Sequence, residues 1–231
     1  MDIIILAGGL GTRLKNVVNE VPKVMAPVEG KPFLEYTLEY LNKFDINNVI
    51  LAVGYKHELI KKYFKDKYKK LNIKYSIETE PLGTGGAIKK AMNYSNEEDI
   101  IVINGDIIIK INYNDFYLEH KNKKENNMIA VKKMQDFSRY GIIELDKDDY
   151  VSSFKEKQYT KEGYINVGAY ILNINNFKKI KEDVFSIEKD YFEKIVDKNK
   201  ILSYLYDDIF LDIGIPEDYN KAKDYLYKLE L

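Results

Sequence analysis

Two glycine-rich segments, a few placed cations and two isolated carboxylates are the residues of this chain whose types and spacing suit chemistry. Gly8-Gly9-Leu10-Gly11-Thr12-Arg13-Leu14 follows an apolar run directly. Its glycines let the backbone approach a ligand closely and turn N–H groups toward an anion. Arg13 adds a planar, permanently charged fork that matches phosphate oxygens. The dinucleotide-binding pattern would place a glycine where Leu14 stands, and the P-loop pattern needs a Gly-Lys-Ser/Thr that is absent. A tight turn beside a surface arginine is the plain alternative. Glu80-Pro81-Leu82-Gly83-Thr84-Gly85-Gly86-Ala87 is a second turn of the same kind, with a hydroxyl added. Thr84 also suits a helix N-cap, which is compatible with ligand binding. Lys23 follows Pro22, while Lys31 sits in a Gly-Lys-Pro turn, where a lysine is ordinarily solvated. Asp106 closes Asn104-Gly105-Asp106, and Asp212 opens Asp212-Ile213-Gly214-Ile215-Pro216. Either aspartate by itself forms a turn as readily as it binds a ligand. Tyr140-Gly141, Glu156-Lys157 and Asn166-Val167-Gly168 are unremarkable one at a time; Glu156 and Lys157 alone read as a solvated strand end.

Composition removes whole classes of chemistry. There is no cysteine, so disulfides, thiolate metal sites and thiol nucleophiles are excluded together. The histidines are His57 and His120 only, too few for a His-rich metal site. His57 lies on a basic helix and His120 beside Lys121; both read as surface residues. Lysine and arginine number 36 against 37 acidic residues, for a net charge of −1. That balance argues against a protein held to nucleic acid by phosphate neutralisation and leaves room for a local basic pocket. No apolar run approaches the roughly 20 residues of a membrane span, and the N-terminus does not read as a signal peptide. A cytoplasmic location with no membrane partner is expected.

The elements that must position these residues alternate. Asp2–Ala7 reads as a buried strand. Phe33–Phe44 has helical apolar spacing, Asn48–Val53 is a strand, and His57–Leu71 is a basic amphipathic helix, solvated rather than membrane-bound. Ile73–Ile77, Gly85–Tyr94 and Ile100–Asn104 continue as strand, helix and strand. This order implies parallel pairing through right-handed crossovers, with helices on both faces. The second half is more antiparallel. Asn127–Met134, Gly141–Leu145, Tyr150–Glu156 and Tyr164–Leu172 read as strands. Ile187–Asp197 and Pro216–Leu229 read as helices, and Ile201–Tyr206 and Phe210–Ile213 as late strands. The expected fold is one α/β domain over residues 1–231, a Rossmann-like three-layer α/β/α sandwich with a mixed, mostly parallel sheet. Residues 1–125 should form a nucleotide-binding half, and residues 126–231 should complete the site.

Taken in order, Gly-Gly-Leu-Gly-Thr-Arg-Leu, Pro22-Lys23, Pro27-Val28-Glu29-Gly30-Lys31-Pro32, Glu80–Ala87, Gly105-Asp106 and Asp212-Ile213-Gly214-Ile215-Pro216 resemble the sugar-1-phosphate nucleotidylyltransferase family. The resemblance runs from residue 3 to residue 220. It implies transfer of a nucleotidyl group from a nucleoside triphosphate to a sugar 1-phosphate, with release of pyrophosphate. It further implies nucleotide contacts at Leu6, Ala7, Gly8, Gly9, Gly11, Thr12, Arg13, Glu80, Pro81, Gly83, Thr84 and Gly85. Sugar-phosphate contacts fall on Lys23, Gly141, Glu156, Lys157 and Asn166. Asp106 and Asp212 become ligands for Mg²⁺, and Arg13, Lys23 and Asp106 the catalytic set. Position 215 is Ile where many members carry Thr. The Glu80–Ala87 segment resembles guanylyl-transferring members for manno-configured sugars, which implies GTP as donor and D-glycero-D-manno-heptose 1-phosphate as acceptor. Backbone groups of the Leu6–Leu10 loop and the Glu80–Gly85 turn are the expected readers of guanine. A mannose 1-phosphate enzyme, a uridylyl- or cytidylyl-transferring relative and a silent nucleotide-sugar-sensing regulatory subunit remain alternatives. A homo-oligomer remains open.

Overall fold

Apolar β-branched runs and helical stripes alternate along the chain, and in the computed structural model they assemble around one sheet. The structure describes residues 1–9, 21–198 and 200–226. Gly11, Thr12 and Arg13 lie outside the described residues, as does the end of the helix expected to reach Leu229. The chain begins with strand β1 (Asp2–Leu6) and, after a 3₁₀ turn at Lys23–Met25, makes a small hairpin of β2 (Pro27–Val28) and β3 (Lys31–Pro32). Helix α1 (Phe33–Leu41), β4 (Asn48–Val53), α2 (His57–Phe64), β5 (Lys67–Tyr68) and β6 (Leu71–Ile77) follow, then α3 (Gly83–Ala91) and β7 (Asp99–Asn104). Next come β8 (Ile107–Ile109), α4 (Tyr113–Lys123), β9 (Asn127–Phe137), β10 (Ile142–Leu145), β11 (Val151–Lys155) and the long β12 (Thr160–Asn173). The chain closes through α5 (Ile174–Phe177), a π-helical turn (Ile187–Phe192) running into α6 (Glu193–Ile195), β13 (Leu202–Tyr206), β14 (Phe210–Asp212) and α7 (Pro216–Leu226).

The ten-stranded sheet runs β11-β10-β12-β7-β1-β4-β6-β5, with β9 and β13 joined at β12. Strands β7, β1, β4 and β6 are parallel neighbours, and β12 joins them antiparallel to β7. Because side chains alternate along a strand, each strand feeds both faces. Ile3, Ile5, Val49, Leu51, Ile101 and Ile103 face α1, α2 and α4. Ile4, Ile50, Ala52, Ile100 and Val102 face α3, α5 and the π-helical turn. Both faces are covered, so these strands read as continuous apolar runs. The three-layer architecture is the one expected. Among the described residues no helix is long and apolar enough to cross a membrane.

Several elements differ from expectation. The helix expected to reach Leu71 ends at Phe64, because Lys65 takes a φ of +54°. Tyr68 keeps its helical spacing from Phe64 but sits in β5, donating to Glu35 at 3.0 Å. Helix α4 was not expected: its apolar stripe is only Tyr113 and Phe116, continued by His120. Asn112 caps it by accepting from the Asn114 and Asp115 N–H groups. His57 stays partly exposed at the start of α2. His120 is not a surface residue; it is 1% exposed, its Nε2 3.6 Å from Asp99 Oδ1.

Asp99 is a buried carboxylate on which the acid stability of the fold depends. Burial alone would raise its carboxyl, but His120, Lys121 and Asn173 outweigh burial and bring it from 3.8 down to about 2. A depressed carboxyl adds stability that is complete above the unfolded value and lost as pH falls through the folded one. Asp99→Asn should therefore cost about 2 kcal/mol at pH 7 and flatten the loss of stability between pH 4 and pH 2, read by urea unfolding across pH.

Candidate active site

Parallel strands end together, so the carboxyl ends of β6, β4, β1 and β7 open side by side on one edge of the sheet. A cavity of about 750 Å³ lies there. Leu6, Ala7, Gly8 and Gly9 line it after β1, Gly54 and Tyr55 after β4, and Glu78 to Pro81 after β6. Gly83 and Thr84 add the first turn of α3, Asn104 and Asp106 the end of β7, and Lys23 closes that side. A second cavity of about 410 Å³ adjoins it, walled by Tyr140, Gly141, Glu156, Lys157, Asn166 and Asp212 among others. Asn104 and Asp106 line both cavities. Of the expected residues among those described, Gly85 alone reaches neither. Its N–H donates to the Phe185 carbonyl at 2.9 Å, and a Cβ there would strike the Phe185 ring. Lys31 is also elsewhere, paired with Glu39 at 3.1 Å.

Charge concentrates where the cavities meet. Lys23 Nζ stands 2.5 Å from Asp106 Oδ2. Strand β14 pairs antiparallel with β8 and sets Asp212 opposite Ile107, one residue from Asp106. The Gly214 N–H donates to Asp212 Oδ1 at 2.6 Å, and the Tyr140 hydroxyl lies 3.5 Å from Oδ2. Tyr140 is stacked under Arg139, which is paired with Asp218 of α7 at 2.5 Å. Burial pushes the Asp212 carboxyl above its ordinary value and the Asp106 charge pushes it further, against the pull of Lys23 and the Gly214 N–H. Two neighbouring carboxylates with a lysine paired to one of them suit a hard divalent cation that takes its other oxygens from phosphate and water. Among the described residues no cluster of three or more His, Asp or Glu side chains forms a complete cage.

The walls of the two cavities are also tied together. Thr84 does not cap α3. Its hydroxyl accepts from the Ile187 N–H at 2.9 Å and donates to Glu188 Oε2 at 3.1 Å. Tyr170 donates to Glu188 Oε1 at 3.2 Å and accepts from Asn166 Nδ2 at 2.7 Å. Asn166 Oδ1 in turn accepts from the Gly168 N–H at 2.7 Å. Gly168 has a φ of +74°, and a Cβ there would lie 2.5 Å from Asn104 Nδ2. Glu78, Asn104, Arg139 and Glu188 belong to these walls and were not expected from sequence. Asn104 and Arg139 adjoin turns that carried a signal, Gly105-Asp106 and Tyr140-Gly141, whereas Glu78 and Glu188 stand beside apolar residues with no such turn.

The family model for nucleotidyl transferases matches residues 2–228. The chain belongs to that family. This nucleotidyl transferase is 47% identical over 227 residues to a D-glycero-alpha-D-manno-heptose 1-phosphate guanylyltransferase of Aneurinibacillus thermoaerophilus, with 98% of each chain covered. It is also 47% identical to the Campylobacter jejuni enzyme of the same description, over 95% of this chain and 97% of that protein. The solved structure of HddC from Yersinia pseudotuberculosis complexed with GMP-PN superposes with a TM-score of 0.87. That pair is 39% identical, with 97% of this chain and 99% of that one covered.

Two consequences are measurable. Asp212→Asn removes a charge that the fold holds at a cost, so the variant should melt no lower than the native protein while its nucleotidyl transfer is lost. Gly168→Ala should destabilise by at least about 1 kcal/mol, from the left-handed backbone alone, with the displacement of Asn104 added. Urea unfolding with an unchanged m-value is the check.

Proposed function

We propose that this chain transfers a guanylyl group from GTP to the phosphate of D-glycero-D-manno-heptose 1-phosphate, releasing pyrophosphate and forming the GDP-sugar. The observation that carries the reading is the junction itself: two cavities, one nucleotide-sized, that share Asn104 and Asp106 beside Lys23. Relatives that match over nearly the full length and are described as heptose 1-phosphate guanylyltransferases support the donor and the acceptor. The 750 Å³ cavity takes the nucleotide, with the Gly8-Gly9 backbone near its phosphates. The 410 Å³ cavity takes the sugar, whose hydroxyls meet Glu156, Asn166 and the Gly141 backbone, while Lys157 faces its phosphate.

An oxygen of the acceptor phosphate attacks the α-phosphorus in line with departing pyrophosphate. The nucleophile is already an anion, so no general base and no covalent enzyme intermediate are required. The residues work by alignment and charge neutralisation. Lys23 would turn from Asp106 to the phosphates, and Arg13 would hold the triphosphate. Asp106 and Asp212 would hold the divalent cation, Mg²⁺ in this reading, which supplies charge neutralisation on the phosphate oxygens. The coexistence of Lys23, Asp106 and Asp212 at one junction speaks against a silent sensor, in which nothing requires all of them.

The test is pyrophosphate release, measured with GTP, UTP, CTP and ATP against heptose, mannose and glucose 1-phosphates. GTP with the heptose 1-phosphate should give the highest kcat/KM and mannose 1-phosphate should rank second. A preference for UTP or CTP overturns the donor. Lys23→Ala should lower turnover by about a hundredfold or more, as expected on losing a charge partner of the transition state.

A further inference from the structure

The hydrogen bonds that join the walls of the two cavities have a fixed direction, and Glu188 sets it. Its carboxylate is met by three hydroxyls. Thr84 and Ser186 donate to Oε2 at 3.1 and 2.9 Å, and Tyr170 donates to Oε1 at 3.2 Å. An ionised carboxylate can only accept, so each hydroxyl must turn its one proton toward it. Thr84 is left with lone pairs and accepts from the Ile187 N–H at 2.9 Å. Tyr170 is left in the same way and accepts from Asn166 Nδ2 at 2.7 Å. Burial, and next the Glu188 charge, raise the Tyr170 phenol well above its ordinary value, so it keeps the proton it donates.

Asn166 lies at the far end of this chain of bonds. Its Nδ2 is turned to Tyr170 and its Oδ1 to the Gly168 N–H at 2.7 Å, so the two ends of the amide cannot exchange places. An amide has two N–H donors and two acceptor lone pairs. With one of each engaged, one donor and one acceptor remain for the sugar cavity that Asn166 lines. Thr84 lines the nucleotide cavity, and Glu188 lines the sugar cavity with Asn166. Tyr170 is fully buried and lines neither.

We propose, resting on the nucleotide-transfer reading above, that Tyr170 and Glu188 are positioning residues that couple the two substrate sites: a nucleotide against Thr84 strengthens the hold of Asn166 on the sugar hydroxyls. A bound nucleotide shields Thr84 from water, the competitor for its hydroxyl. That strengthens the Thr84–Glu188 bond and holds Glu188 in the one arrangement the chain of bonds allows. Tyr170 and Asn166 are then already ordered when the acceptor arrives, and the second ligand has less freedom to remove. Linkage makes the effect reciprocal, so the sugar phosphate tightens the nucleotide by the same factor.

The test is calorimetric binding of heptose 1-phosphate with Mg²⁺ present, alone and beside a saturating GTP analogue. The analogue carries a methylene bridge between its α- and β-phosphates and cannot release pyrophosphate. The native protein should bind the acceptor at least about fivefold more tightly beside the analogue. In Tyr170→Phe, which deletes a hydroxyl outside both cavities, that factor should fall to within about twofold. Thr84→Val should lose the factor as well, and Thr84→Ser, which keeps the hydroxyl, should retain it. If Tyr170→Phe fails to melt cooperatively, the two Thr84 variants carry the test. A merely structural Tyr170 would lower the melting temperature and leave the factor unchanged, and that result overturns the coupling. A native factor within about twofold overturns it too, and leaves the transfer reaction intact. A native protein that binds neither the analogue nor heptose 1-phosphate overturns the functional reading and this inference with it.

Discussion

Asp106 has to face two cavities at once, and the architecture is arranged around that requirement. Joining a triphosphate to a sugar phosphate brings two polyanions together, which is costly unless positive charge is already in place. The chain meets this with local placement rather than bulk charge, its net charge being only −1. The Lys23–Asp106 pair sits where the cavities touch. Asp212 is delivered beside it by a strand from near the other end of the chain, in a short two-stranded ribbon of β8 and β14. Burial first and the Asp106 charge second raise the Asp212 carboxyl, so the fold holds this ionised pair at a cost.

The second cavity depends on one irregular strand. Over its length β12 pairs first with β9 and β10 and then with β9 and β7, and its register shifts between Asn166 and Tyr170. The left-handed Gly168 lies inside that shift, and there the backbone presses close to Asn104 at the end of β7. The bulge aims Asn166 into the cavity while Tyr170 stays fully buried behind it. Through Tyr170 and Glu188 the same residue is hydrogen-bonded on to Thr84, which lines the other cavity. The two walls therefore share one polar network, whose members satisfy one another in a low-dielectric setting.

Much of the fold and of the site was legible in the amino-acid sequence. Unbroken runs such as Ile3–Leu6, Val49–Val53 and Ile100–Ile103 mark strands buried on both faces, and helices between them force parallel order. A parallel order fixes where strand ends gather, so Gly8, Thr84 and Asp106 had to share an edge. The turn chemistry of glycine, proline and aspartate is local, and it marked the loops without any knowledge of packing. What local pattern could not carry was decided by neighbours distant in sequence. Helix α4 exists because Tyr113, Phe116 and His120 find a sheet to pack on, although its own stripe is too narrow to announce it. His120 is buried because Asp99, on another strand, receives it. Tyr68 turns from helix to strand because β6 offers an edge. Gly85 leaves room for the Phe185 ring, which claims the space in front of it. Glu78 and Glu188 look like any solvated glutamate in sequence. Only the tertiary structure removes their water and points them at a cavity, and desolvation is a property of the surroundings, not of the residue or its spacing.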